Sequence, residues 1–141
     1  LGLKIQFLGG DGWVADELLT MAGKELEGAY LSSGISSDAP EFADFNAAFE
    51  AKHKTAANVY AYYALDALYS IEYAVGVAID KTGKPDPVAV RDALETMKDV
   101  PVFTGKMTME SDTHNPHNKP ILLMRITDSK WEIVKIFTPG E

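Results

Sequence analysis

The sequence predicts an α/β protein that contains a parallel sheet and ends in a β-hairpin. Three observations carry this prediction: a strand–helix–strand pattern in residues 4–33, helical patterns between residues 40 and 100, and strand-like alternation after Gly105. The chain has 141 residues, of which 46% are hydrophobic and 24% charged, so it is long and apolar enough to bury a core.

The first third of the chain predicts two parallel strands joined by a helix. Lys4 to Leu8 is an apolar run typical of a buried central strand, and the glycine-rich run from Gly9 to Gly12 ends it. Residues 15–26 have amphipathic helical spacing, and Gly28 stops this helix before a second strand over residues 29–33. The side chains expected on the buried face of the helix are Leu18, Met21, Ala22 and Leu26.

Three further helices are predicted in the middle of the chain. Pro40 suits the first turn of a helix that buries a phenylalanine stripe, formed by Phe42, Phe45 and Phe49. Val59 to Asp80 is apolar on most sides, which predicts a long helix packed between other elements. Asp86 is expected to cap a helix that starts at Pro87 and ends before Val100. Its expected inward side chains are Val90, Leu94 and Met97.

The last third has the pattern of β-structure. Residues 106–109 alternate, residues 121–127 are strand-like, and Trp131 to Phe137 alternates after the turn at 128–130. The segment from Glu110 to Pro120 is the loop long enough to carry a function or a chain crossing.

Charge and composition exclude several classes of function. The formal net charge of −8 makes nucleic acid a poor partner, and the absence of cysteine removes disulfides and thiolate chemistry. Residues 1–8 lack the order of a secretory leader, so the start looks internal. The apolar stretch from Val59 to Ile79 is interrupted by Asp66, Ser70 and Glu72, which favours a packed helix in a soluble protein over a membrane span.

Catalytic, nucleotide and metal motifs give no support for an enzyme. The sequence has no Gly-x-Ser-x-Gly, His-Glu-x-x-His or phosphate-binding glycine motif, so we expect no catalytic residue and no cofactor. Asp112, His114 and His117 are spaced like metal ligands, but neighbouring prolines and asparagines favour a turn. We therefore expect no metal site.

The glycine-rich loop is the strongest candidate binding site. Gly9, Gly10 and Gly12 permit a sharp path at the end of a strand, where ligands bind in open α/β sheets. The Asp11 carboxylate could accept hydrogen bonds from a ligand ammonium, and Trp13 could form an apolar wall. A helix cap with a core tryptophan explains the same residues equally well. Tyr60 begins a helix and could face a cleft, whereas core packing is the default for Tyr62, Tyr63, Tyr69 and Tyr73.

Several stretches resemble one family in order along nearly the whole chain. Residues 1–13, which read LGLKIQFLGGDGW, resemble a strand and loop in the second lobe of leucine/isoleucine/valine-binding proteins. Glu27 to Tyr30 resembles the next strand, and Asp66 to Tyr69 resembles the end of a helix with an Asp-Ala-hydrophobic-Tyr pattern. Thr104 to Met109 and the run from His114 to Pro120 resemble the late Thr-Gly and Asn-Pro-x-x-Lys stretch of this family.

This resemblance implies the fold class: a flavodoxin-like, parallel-sheet α/β lobe of a type I periplasmic solute-binding protein, with a C-terminal β-hairpin and an incomplete two-lobe fold. The family members are far longer, so the chain is expected to be a C-terminal portion that holds parts of both lobes. Residues 1–56 would belong to the second lobe, residues 57–100 to lobe-crossing helices, and residues 101–141 to a returning β segment.

The resemblance also implies a function. The protein would bind an amino acid between two lobes and deliver it to the membrane subunits of an ABC transporter, in the periplasm or outside the cell, with a lipid anchor in the full-length protein as an option. Asp11 would hold the ligand ammonium, with Gly12, Trp13 and Tyr60 beside it. An aliphatic ligand is favoured over an acidic one, because Asp11 would repel a second carboxylate.

Other interpretations stay open. The same fold serves as the ligand-sensing domain of receptors, and a flavodoxin-like enzyme domain would need a bound cofactor. A partial fold would also expose surface that is normally buried, which predicts self-association or strand exchange with a second copy.

Overall fold

A computed structural model describes residues 4–139 of the chain. The helices within this range are α1 (Asp16–Ala22), α2 (Ala43–His53), α3 (Val59–Thr82) and α4 (Pro87–Glu95), with short 3-10 helices at Asp11–Trp13 and Pro40–Phe42. The strands are β1 (Leu8–Gly9), β2 (Tyr30–Ser33), β3 (Val100–Val102), β4 (Gly105–Met109), β5 (Pro116–His117), β6 (Ile121–Thr127) and β7 (Lys130–Phe137). Within this range the chain divides into two compact units: unit 1 runs up to Val59 and resumes at Pro120, and unit 2 is Tyr60–Lys119.

Unit 1 is built on a mixed four-stranded sheet in the order β1-β2-β6-β7. β1 and β2 are parallel, which confirms the strand–helix–strand prediction. β6 runs antiparallel to β2, and β7 antiparallel to β6. The sheet therefore combines a parallel pair with antiparallel strands that come from the end of the chain.

The core of unit 1 lies on one face of this sheet. Leu31 pairs with Met124 and Ser33 pairs with Leu122, and all four are buried. Residues 122, 124 and 126 are buried while residues 121, 123 and 125 are not, as the two-residue period of a strand requires. Burial of an aliphatic side chain such as Leu31 contributes about 1.5–3 kcal/mol to stability.

The hairpin between β6 and β7 is closed by a tight turn. Asp128 and Ser129 have φ values of 52° and 56°, the left-handed conformation that two-residue hairpin turns with matching twist need. The Glu27 carboxylate accepts hydrogen bonds from the backbone N–H groups of Asp128 at 2.9 Å and Ser129 at 3.3 Å. These contacts confirm the predicted turn and attach it to the segment before β2.

Unit 2 contains the rest of α3, α4 and a small sheet in the order β3-β4-β5. Asp86 caps α4 as predicted: one carboxylate oxygen accepts from the N–H groups of Val88 and Ala89, both at 3.1 Å. Met97 is buried as expected, and Val90 and Leu94 are half-buried. β3 and β5 are only three and two residues long, and no sequence pattern predicted them.

Two predicted elements near the start of the chain differ from the structure. β1 covers two residues at the edge of the described sheet rather than a buried central strand over residues 4–8, and Ile5, Phe7 and Leu8 are exposed. α1 ends at Ala22, since residues 23–28 form turns, and Met21 is 83% exposed rather than inward-facing. The second predicted helix begins as a 3-10 turn at Pro40, which buries Phe42 and leaves Phe45 and Phe49 half-buried.

The long helix α3 also differs from its prediction. After the buried Val59 at its start, its buried positions recur every four residues and are occupied by Tyr62, Asp66, Ser70, Ala74 and Ala78. The large aliphatic side chains of Leu68, Ile71 and Ile79 are exposed, so the expectation of a helix buried on most sides is wrong. No helix in residues 4–139 is long and apolar enough to cross a membrane.

Candidate functional site

The glycine-rich loop forms a compact turn directly after β1. The Trp13 N–H donates to the Gly10 carbonyl at 3.0 Å, and the Val14 N–H donates to the Asp11 carbonyl at 2.9 Å. These bonds close the 3-10 helix Asp11–Trp13 at the carboxyl end of a strand that lies parallel to its neighbour. The loop therefore occupies the edge of an α/β sheet at which ligands bind.

Trp13 explains why a glycine is needed at position 9. A Cβ atom on Gly9 would collide with the indole ring of Trp13, so the ring lies against bare backbone. Trp13 is half-buried in this arrangement. The indole is thus held by packing within unit 1 and still presents part of its surface.

Asp11 is exposed, and its carboxylate does not cap α1. The N-cap residue of α1 is Ala15, which makes no side-chain capping bond. Within residues 4–139 no cation lies within salt-bridge distance of Asp11. Asp11 is therefore not the helix cap that the sequence allowed. The role of Asp11 toward a ligand stays a prediction.

Tyr60 lies in the first turn of α3 and is 58% exposed. It belongs to unit 2, whereas Asp11, Gly12 and Trp13 belong to unit 1. Two positions later, Tyr62 is fully buried and stacks on Phe103 with ring centroids 5.9 Å apart. The default of core packing is confirmed for Tyr62, whereas Tyr69 and Tyr73 are exposed.

Unit 1 contains a cavity of about 260 Å³ that sequence reasoning did not find. Its wall includes Val14 and Ala15 just before α1, Glu17 from α1, Phe49 from α2, residues 55–59, Ser37, and Trp131 from β7. Phe49 and Trp131, two of the lining residues, are both half-buried. Because these residues are up to 117 positions apart in the chain, no local spacing pattern marks them.

Unit 2 contains a buried polar cluster, which we call the Asp66 network and which consists of Asp66, Thr104 and Lys119. The Asp66 carboxylate accepts from the Thr104 backbone N–H at 2.7 Å and from the Thr104 hydroxyl. Lys119 Nζ lies 3.3 Å from the same carboxylate and donates to the Thr104 hydroxyl oxygen at 2.7 Å. The side chain of Asp66 is 6% exposed and that of Lys119 22%. All three residues lie in stretches that resemble the leucine/isoleucine/valine-binding proteins, but the sequence did not indicate that they contact one another.

The two histidines of the long loop each lie near a glutamate. His114 Nε2 is 3.4 Å from Glu95 Oε1, and His117 Nδ1 is 3.8 Å from Glu110 Oε1. Both imidazoles are exposed. Among residues 4–139 no group of three or more His, Asp or Glu side chains is arranged to hold a metal ion.

One cross-strand cluster shifts pKa values on the surface of unit 1. The Glu132 carboxylate accepts from the Thr127 hydroxyl at 2.7 Å and from Arg125 Nη2 at 2.8 Å. The Thr127 hydrogen bond and then the Arg125 guanidinium lower the pKa of Glu132. The same contact raises the pKa of Arg125, so both groups stay charged at neutral pH.

These features define an α/β fold with a glycine-rich loop at the end of a strand. The sequence model of the periplasmic binding protein family matches residues 1–130, and the chain belongs to this family. This finding confirms the family and the fold class that the sequence resemblance implied. No curated protein sequence shows significant similarity to the chain.

Solved structures show the same fold. A leucine-binding protein from Thermotoga maritima has a TM-score of 0.76 at 17% identity, over 98% of this chain and 39% of its own. An extracellular ligand-binding receptor from Rhodopseudomonas palustris has a TM-score of 0.73 at 24% identity, over 94% of this chain and 41% of its own. An ABC-transporter solute-binding protein from R. palustris, solved with benzoate, has a TM-score of 0.69 at 21% identity, over 94% and 36%. The chain thus spans about 40% of the length of these proteins.

Proposed function

We propose that the chain is part of an extracytoplasmic substrate-binding component of an ABC transporter, and that its ligand is an aliphatic amino acid. The observation that carries this proposal is the family match over residues 1–130. Leucine is bound by one protein of the same fold, according to its name, and benzoate by another. A periplasmic or extracellular location agrees with the family's name, and a lipid anchor stays a prediction from the resemblance.

Asp11 is our candidate for the group that holds the ligand ammonium. Its exposed carboxylate lies at the carboxyl end of β1, and no cation of the described residues neutralises it. A hydrogen bond to a charged partner contributes about 1.5–3 kcal/mol. Gly12 would let the ligand approach the backbone, and Trp13 would form an apolar wall. Tyr60 stays a ligand-residue prediction from the family resemblance.

Isothermal titration with leucine, isoleucine, valine and benzoate tests this proposal. Asp11→Asn should weaken amino-acid binding about 10- to 150-fold, which corresponds to the loss of one charge-assisted hydrogen bond. Asp38→Asn, which neutralises another exposed carboxylate of unit 1, is the matched control and should leave the affinity unchanged. If the protein binds benzoate but none of the amino acids, or if Asp11→Asn and Asp38→Asn change the affinity equally, Asp11 does not hold the ligand ammonium.

The second candidate is a ligand-sensing domain of a receptor. The observation that favours it is the similarity to a protein described as an extracellular ligand-binding receptor. The two candidates share the ligand site and differ in the partner. Ligand-dependent stimulation of ATP hydrolysis by an ABC transporter in proteoliposomes would support transport, and its absence alongside tight ligand binding would favour the receptor.

A further inference from the structure

The cavity in unit 1 has a chemical character of its own. It is formed by residues from α1, α2, the segment before α3, and β7, and none of the loop residues Asp11, Gly12 and Trp13 lines it. Its volume of about 260 Å³ lies just below the usual range for small-molecule pockets. It therefore has room for a short aliphatic molecule rather than for a drug-sized one.

The charge of the cavity wall has one sign. Glu17 is the charged residue among those that line it, and none of the lining residues is lysine, arginine or histidine. Glu17 is exposed, and within residues 4–139 no cation lies within salt-bridge distance of its carboxylate. An anionic ligand would meet repulsion here, whereas an ammonium group would gain a partner.

The aromatic residues of the wall favour the same ligand. Phe49 and Trp131 are among the lining residues, and the faces of aromatic rings attract cations. Val14 and Ala57 add buried aliphatic surface that suits a hydrocarbon chain. The net charge of −8 raises the local concentration of small cations around the protein.

We propose that this cavity is a second ligand site, separate from the Asp11 loop, which takes a small alkylammonium ion. Glu17 accepts a hydrogen bond from the ammonium group, and Trp131 and Phe49 contact the aliphatic chain. The site goes beyond the proposed transport function because none of its side chains is among the predicted ligand residues of the loop.

Tryptophan fluorescence offers a direct readout. The chain has two tryptophans, so Trp13→Phe leaves Trp131 in the cavity wall as the single reporter. In this background, n-butylammonium chloride should produce a saturable change in Trp131 emission, and sodium butyrate at equal ionic strength should not. Glu17→Gln should raise the dissociation constant for butylammonium about two- to fivefold, the modest effect expected for an exposed ion pair.

Two variants separate this proposal from its alternatives. Glu25→Gln removes the same charge from an exposed residue that does not line the cavity, and should leave the titration unchanged. Asp11→Asn should also leave the butylammonium titration unchanged while it weakens amino-acid binding. The proposal for the cavity and the proposal for the Asp11 loop can therefore be disproved separately. The proposal is overturned by a flat titration, an equal response to butyrate, an equal effect of Glu25→Gln, or loss of the signal in Asp11→Asn.

Discussion

The Asp66 network shows how one buried carboxylate can join three distant segments of unit 2. Asp66 lies on α3, Thr104 in the turn between β3 and β4, and Lys119 at the end of unit 2. Every donor that reaches the carboxylate comes from the other two residues. Loss of the carboxylate would leave the partly buried ammonium of Lys119 without its ionic partner.

Replacement of Asp66 by alanine should therefore be costly. We expect the free energy of unfolding to fall by about 3–5 kcal/mol, the usual cost of breaking a buried ion pair. Urea denaturation measures this change. Lys119→Met in the Asp66→Ala background should cost less than in the wild type, because the two groups are coupled.

Asp112→Ala serves as the control for this experiment, since Asp112 is an exposed acidic residue of the same unit. Its effect should stay within about 0.5 kcal/mol. If the losses in free energy of unfolding from Asp66→Ala and Lys119→Met simply add in the double variant, the two side chains are not coupled.

Glu132 predicts a pH dependence at the surface of unit 1. Its pKa is lowered from 4.5 by the Thr127 hydrogen bond and by Arg125. A carboxyl with a depressed folded-state pKa stabilises the protein above its unfolded pKa and loses this contribution as pH falls through the folded value. Glu132→Gln should therefore lower the denaturation midpoint slightly at pH 7, and the difference from wild type should shrink below about pH 4.5.

Urea midpoints measured between neutral and acid pH test this prediction. Glu25→Gln, which removes an exposed charge elsewhere in unit 1, is the matched control. A difference for Glu132→Gln that stays constant down to low pH would show that the carboxylate itself contributes nothing.

At the scale of elements, the N-cap of α4 is the clearest local signal. Asp86 followed by Pro87 predicted the start of the helix, and the structure places the Asp86 carboxylate on two backbone N–H groups. Asp86→Ala should lower the free energy of unfolding by about 0.5–2 kcal/mol. Asp86→Asn should lower it only slightly, because the side-chain oxygen of asparagine still accepts hydrogen bonds from the backbone N–H groups. Equal losses for the two variants would argue that charge rather than the capping bond stabilises the helix.

The elements that the sequence predicted well are those with local causes. The strand-like run of residues 121–127 predicted β6 with these bounds, and turn residues predicted the hairpin turn at Asp128 and Ser129. The burial of α3 could not be predicted in this way. A helix with aliphatic residues on most sides buries whichever stripe its neighbours cover, and here the stripe holds Asp66, Ser70 and small alanines.

For the candidate site as well, the part formed by one continuous segment was predicted and the part assembled from distant segments was not. The Gly9 to Trp13 loop is a continuous run and was predicted as a turn at a strand end, which the 3-10 helix Asp11–Trp13 bears out. The cavity depends on Glu17, Phe49 and Trp131, whose proximity exists only after the sheet and helices pack. Sequence patterns report local periodicity, so a site assembled from distant elements leaves no comparable trace.

At the scale of the whole molecule, the exposed apolar surface of β7 has a consequence for assembly. β7 is an edge strand of the sheet formed by the described residues, and it is eight residues long. Four of its apolar side chains are 44–54% exposed: Ile133, Val134, Ile136 and Phe137. Long apolar edge strands pair with other chains, and Lys135 is the residue that opposes such pairing from within this run.

We expect the chain to dimerise through its β7 edge, and we expect Ile136→Lys to abolish the dimer by placing a further charge within the apolar part of this edge. Sedimentation equilibrium over roughly a hundredfold range of concentration should show a mass that rises toward twice 15.4 kDa for the wild type and stays at one chain for the variant. Leu68→Lys, at an exposed apolar position of α3, is the control that leaves β7 intact. If Leu68→Lys prevents association and Ile136→Lys does not, the chain associates through the exposed face of α3, and the edge strand is already protected by its twist and by Lys135.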